Sequence, residues 1–162
     1  MGKCIYCGCD TNQEVMLYDS DDMQEKGELK CRYCCDNCLE DKIRKEQEKF
    51  KPKYEAFIKY LKDNNYKIKC ECYKIKDYSC KKKIEYFNVT DELEKYVDTI
   101  RNRMKRKHYH EIWLDPRCLE YNNEIFEFIE YLCFENNKGY ERRFYFELVD
   151  DNGNEYEDIK IV

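Results

Sequence analysis

The sequence predicts an α+β protein: a small N-terminal metal-organised module, then a body of antiparallel strands with helices. Three observations carry this. Two Cys-x-x-Cys pairs, Cys4 with Cys7 and Cys35 with Cys38, flank a loop too polar to build a core. From Tyr66 to Ile84 the chain alternates in polarity, with Tyr66, Ile68, Cys70, Cys72 and Lys74 on one side and Lys67, Lys69, Glu71, Tyr73 and Ile75 on the other. Such a period of two is the signature of strands. Leu93, Tyr96, Val97, Ile100 and Met104 repeat at helical spacing, giving one apolar stripe.

The 162 residues hold twelve cysteines. We see no secretory signal and no apolar run of the roughly 20 residues a membrane helix needs, so the expectation is a soluble, cytoplasmic protein. There, thiols serve metals more often than disulfides. The expected ligands are Cys4, Cys7, Cys35 and Cys38 around one Zn ion, with Cys31 and Cys34 as a rival pair. Four sulfur ligands leave no open coordination position, so this zinc would fold the module and catalyse nothing. The expected boundaries are 1–50 for the zinc module and 51–162 for the body.

Gly8 follows the first pair and lets the backbone fold over a metal. Residues 15–18 read as a strand, 29–33 as its return, and Asp36 or Asn37 as the cap of a helix. Leu39, Ile43 and Phe50 fall near one face of it. Pro52 should end or kink it; Tyr54, Phe57, Ile58 and Leu61 resume the pattern, and Asn64-Asn65 stops it. Knuckle, hairpin and cysteines on the first turn of a helix make a treble clef. The residues Cys4-Ile5-Tyr6-Cys7-Gly8, Gln13-Glu14-Val15 and Tyr33-Cys34-Cys35-Asp36-Asn37-Cys38-Leu39 resemble the zinc-binding domain of ClpX-type unfoldases. The resemblance covers about a quarter of the chain. It implies a zinc treble clef and, through that family's habit of binding substrates and adaptors, a protein partner. The chain is too short for the ATPase and holds no Gly-x-x-x-x-Gly-Lys loop. Cys9, Cys31 and Cys34 are extra to the family pattern.

In the body we expect strands at 66–76 and 79–88, and a helix capped by Thr90 or Asp91, with Glu94 completing a capping box. A strand should run from His108 to Leu114 and end at Asp115-Pro116. A helix from Asn122 or Asn123 should carry Ile125, Phe126, Ile129, Leu132 and Cys133 and end at Gly139. Asn152-Gly153 reads as a two-residue hairpin turn that would place Phe144 opposite Ile161 and Phe146 opposite Ile159. That makes two helices beyond the long kinked one.

Charge is uneven. Residues 1–40 carry 4 basic and 9 acidic groups, 41–110 carry 21 and 12, and 111–162 carry 5 and 14. The basic middle, with Lys81, Lys82, Lys83, Arg101, Arg103, Lys105, Arg106 and Lys107, suits phosphates; its plainer account is a solvated surface and a helix C-terminus that favours cations. Cys70, Cys72, Cys80, His108, His110 and Cys118 offer donors for a second metal, although strand cysteines are ordinarily small buried apolar residues. No catalytic residues are expected: residues 1–62 lack the histidine a zinc nuclease needs, and the hydrolase, zincin and nucleotide motifs are absent. The expected function is non-catalytic, a protein-binding adaptor or inhibitor. Abundant Lys, Asn, Ile, Tyr and Phe, whose codons are A/T-rich, fit a phage or mobile element. A nucleic-acid-binding regulator and a degenerate zinc-containing nuclease are the alternatives.

Overall fold

The computed structural model describes residues 1–16 and 31–157. These divide into two compact units, Met1–Pro52 and Lys53–Val162. In the first, β1 (Gly2–Lys3) pairs with β2 (Asp10–Thr11), and β3 (Glu14–Met16) pairs with β4 (Cys31–Tyr33). The expected first hairpin is thus present in its described part; Leu17, Tyr18, Leu29 and Lys30 lie outside the described residues. Helix α1 (Asp36–Asp63) takes in Asp36 and Asn37, the two expected caps, as its first residues, and belongs partly to each unit.

Pro52 does not end α1. Proline removes one backbone donor, here the bond to the carbonyl of Glu48. Residues 43–53 are exposed, so water can satisfy that carbonyl. The first half of α1 has no buried stripe: Ile43 and Phe50 are exposed, whereas Phe57, Ile58 and Leu61 are buried. Asn65, with φ +57°, closes the helix as the Asn-Asn pair suggested.

The second unit is a five-stranded antiparallel sheet in the order β6 (Ser79–Asn88), β5 (Lys67–Lys76), β9 (Glu141–Val149), β8 (Glu124–Asn136), β7 (Tyr109–Tyr121). Strands β5 (Lys67–Lys76) and β6 (Ser79–Asn88) form the hairpin that the alternation predicted, turning at Asp77. Helix α2 (Lys95–Arg106) buries Tyr96, Val97, Ile100 and Met104, four of the five stripe residues. Leu93 is buried just ahead of it, and its N–H donates to the Tyr54 hydroxyl at 2.6 Å. The capping box does not form: Glu94 is the N-cap and makes no side-chain cap bond, while Thr90 Oγ1 donates to the Glu92 carbonyl.

Three further expectations need correction. Strand β7 (Tyr109–Tyr121) does not stop at Pro116; a register shift between Asp115 and Pro116, on an edge strand, absorbs the proline. Residues 124–136 are strand β8 (Glu124–Asn136), not a helix. Asn122 and Asn123 both have positive φ, 50° and 61°, and join Tyr121 to Glu124 in a two-residue turn. The described residues therefore contain two helices, α1 and α2. Third, the turn at Asn152-Gly153 spans three residues. The Asp150 N–H donates to the Asn154 carbonyl, and Asp150 Oδ1 accepts from the N–H groups of Asn152 and Asn154. Val149 consequently bridges Glu155, one residue off the expected register. Ile159 and Ile161 lie outside the described residues. Asn136 shapes the turn into β9 (Glu141–Val149) in the same way, with Gly139 at φ +72° in the place that Gly153 takes at +79°.

The core lies on one face of this sheet, under α2 and the end of α1. Phe57 stacks on Phe126 at 4.6 Å and Tyr96 meets Phe146 at 4.7 Å. The Tyr96 hydroxyl donates to the Ile129 carbonyl at 2.7 Å and accepts the Ile129 N–H at 3.0 Å. It thereby satisfies β8 where its pairing with β7 shifts.

Candidate metal centre and charged surfaces

The thiol site grows from a tight turn. The Gly8 N–H donates to the Cys4 carbonyl at 2.9 Å and the Cys4 N–H to the Cys9 carbonyl at 2.8 Å, with Gly8 at φ +74°. This folds residues 4–9 back on themselves. Ile5 N–H donates to the Tyr33 carbonyl and Cys34 N–H to the Gln13 carbonyl, which brings the approach to α1 alongside. The Tyr33 ring covers Gly2 so closely that an added Cβ would sit 2.0 Å from it.

The sulfurs of Cys4, Cys7, Cys9 and Cys35 lie within 4.8 Å of one another. Cys7 and Cys9 are 3.3 Å apart, Cys7 and Cys35 3.5 Å. In a tetrahedron with metal–sulfur bonds of 2.3 Å, sulfurs stand about 3.8 Å apart. The donor set therefore fits a thiophilic ion with small adjustments. Three of the expected ligands, Cys4, Cys7 and Cys35, converge, and the fourth thiol is Cys9. Cys38 sits on the first turn of α1, and the hydrogen bonds it donates to Cys7 first and Cys35 second push its thiol upward. Cys9 is pushed up to about 12, chiefly by its bond with Cys7. Cys4 falls to about 5, because backbone N–H groups, that of Cys35 first, stabilise its thiolate. Of the rival pair, Cys34 is buried, its thiol donating to the Cys35 carbonyl at 3.6 Å, and the Cys31 side chain lies outside the described residues. Every described cysteine is a free thiol. Cys9 was legible only as a surplus cysteine, because the Cys-x-x-Cys spacing says nothing of a residue two places on.

No second group of donors converges among the described residues. Cys70 is core, Cys72 half-buried, and Cys80 and Cys118 are exposed. His108 occupies a turn with φ +58° and His110 lies on β7.

The predicted basic group is divided by the fold. Lys82 points to the sheet face away from α2 and pairs with Glu71 at 2.9 Å. Arg101 grips Glu111 through two nitrogens, at 2.7 and 2.9 Å, and Arg103 holds Glu85 at 2.6 Å. Lys105, Arg106 and Lys107 end α2. Lys81 and Lys83 face the helix side.

The other face of the sheet carries aromatic and charged groups in rows. One row runs Ile84, Glu71, Tyr145, Tyr131, Asp115; the next runs Lys82, Tyr73, Arg143, Cys133, Trp113. Lys69 bridges Glu71 and Glu147, and the Tyr73 hydroxyl donates to Glu71. Trp113 is 61%, Tyr86 60%, Ile84 45% and Tyr145 42% exposed. No helix is long and apolar enough to cross a membrane. Comparison with protein-family models, curated proteins and solved structures gives no match.

Proposed function

We propose that the protein acts by binding a protein partner, without catalysis, as an adaptor or inhibitor whose first unit is folded by zinc. Cys4, Cys7 and Cys35 hold the ion, with Cys9 or Cys38 as fourth ligand. When bound, it draws residues 1–16 and 31–38 together, and among these described residues Cys4 and Cys34 are the buried apolar side chains. The ClpX-type resemblance of residues 4–40 supports a protein partner.

The observation that carries the binding reading is the aromatic sheet face. Trp113, Tyr86, Tyr145 and Ile84 keep large apolar areas in water beside preformed ion pairs, the composition typical of interfaces. Aromatic anchors of this kind supply most of the binding energy.

The test has two arms. Elemental analysis should find about one zinc per chain, and Cys9→Ser and Cys38→Ser should differ, since only one removes a ligand. A pull-down from the native host, with nuclease added to a parallel sample, should retain a protein partner, and Trp113→Ala with Tyr145→Ala should release it. Retention that ignores both substitutions, or that vanishes with nuclease, would sink the reading.

A further inference from the structure

On the helix side of the sheet the even residues of β5 are Ile68, Cys70, Cys72, Lys74 and Lys76. The first three pack into the core. Lys74 then stands directly between Lys81 of β6 and Arg142 of β9. Three cations lie abreast on three adjacent strands, about 4.8 Å from strand to strand. Lys83 follows on the next helix-side position of β6, and Lys76 on that of β5. Like charges directly opposite each other destabilise a sheet. No ion pair relieves Lys74, Lys76, Lys81, Lys83 or Arg142 among the described residues. The neighbouring carboxylates on this side, Glu85 and Glu111, are already held by Arg103 and Arg101. Arg142 Nε is buried without a hydrogen-bond partner.

We propose that Lys74, Lys81 and Arg142, flanked by Lys76 and Lys83, cradle the phosphate backbone of single-stranded nucleic acid. A polyanion removes the repulsion that the fold itself leaves standing. Backbone spacings of about 4.8 Å between strands and about 6.6–6.8 Å between alternate residues of one strand bring these cations within reach of successive phosphates. Aromatic rings accompany the cations. Tyr78 is fully exposed at the β5–β6 turn, the Tyr140 ring lies 4.8 Å from Lys76 Nζ, and the Tyr109 ring 5.7 Å from the Arg142 guanidinium. Bases stack on such rings. This surface differs from the aromatic face of the preceding proposal and stands without it.

The experiment is a titration of the intact protein with fluorescent oligothymidine at several salt concentrations, with poly-glutamate as a second probe. Each neutralised phosphate of a single strand contributes about −0.7 to the log–log salt slope. Lys74→Gln, Lys81→Gln and Arg142→Gln together should weaken binding and flatten the slope by about 2. Lys81→Gln with Lys83→Gln, at exposed edge positions, repeats the test should Arg142 prove needed for folding; it should flatten the slope by about 1.4. Lys45→Gln, Lys49→Gln and Lys59→Gln, on α1, should leave the slope unchanged. Absence of binding at low salt, a slope indifferent to both cradle variants, or binding of poly-glutamate in place of the oligonucleotide would each overturn the proposal.

Discussion

The two units obtain order by different means. Of residues 1–52, Cys4 and Cys34 are the buried apolar residues described, and the strands there are two or three residues long. Nothing of that size holds itself together by hydrophobic burial. Residues 53–162 instead bury a continuous cluster of phenylalanine, tyrosine and aliphatic side chains beneath two helical segments. A thiol cluster can organise a short, polar, highly charged stretch because a few strong bonds replace many weak contacts. On the proposed function, the cost is dependence on an ion.

The largest effect should come from removing that ion. Coordination free energies of structural zinc in small fingers run about 10–16 kcal/mol. A chelator, or Cys35→Ser, should therefore abolish amide protection in residues 2–16 and 31–35 and leave that of residues 67–149 intact. Simultaneous loss in both regions, followed by hydrogen exchange, would erase the distinction between the units. Within the body, Phe146→Ala should cost about 3–5 kcal/mol in denaturant titrations, as the ring is buried against Tyr96; a loss under about 1 kcal/mol would mean that the core is not what orders the body. Tyr96→Phe keeps the ring but strips the hydroxyl from the Ile129 N–H and carbonyl. About 1–3 kcal/mol should be lost, and exchange at Ile129 should quicken before that of its neighbours.

The smallest effect is electrostatic. Glu71 is held down to about 2 by Lys82 first and Lys69 second. A depressed carboxylate stabilises the fold above its ordinary value near 4.5 and loses that contribution as pH falls towards 2. Glu71→Gln should flatten the stability profile of the body over that window, while the acid sensitivity of the metal unit persists, because protons compete for thiolates.

Legibility in the sequence followed the same division. The hairpin of β5 and β6 was readable because alternation runs unbroken from Ile68 to Cys72, and α2 because its stripe is regular. Strand β8 was not. Its register with β7 shifts near Ile129, and Phe126, Phe128, Ile129, Leu132, Cys133 and Phe134 are all buried. That series fits helical spacing as well as a strand broken in phase. The paired asparagines before it served equally as a helix start or a two-residue turn, and their positive φ values decide for the turn. Asp150 and Asn136, each three residues before a glycine, carried a turn signal that local hydrogen bonding makes intelligible. At the thiol site, spacing indicated Cys4, Cys7, Cys35 and Cys38, of which the first three converge with Cys9; the folding back of residues 4–9 that delivers Cys9 is a three-dimensional fact.

The order of strands has a consequence for how the body is made. Its central strand, β9, is the last strand among the described residues, while β5 with β6 and β7 with β8 are local hairpins. On a ribosome both hairpins emerge first, each with an inner edge of unpaired backbone, Lys67–Ile75 on one and Tyr131–Glu135 on the other. Neither can be sealed until residues 141–149 leave the exit tunnel. The nascent body must hold two adhesive edges apart while it waits, a hazard for aggregation. A nascent chain stalled before Glu141 should thus remain protease-sensitive throughout residues 66–140, and should become resistant in one step once the last strand is released.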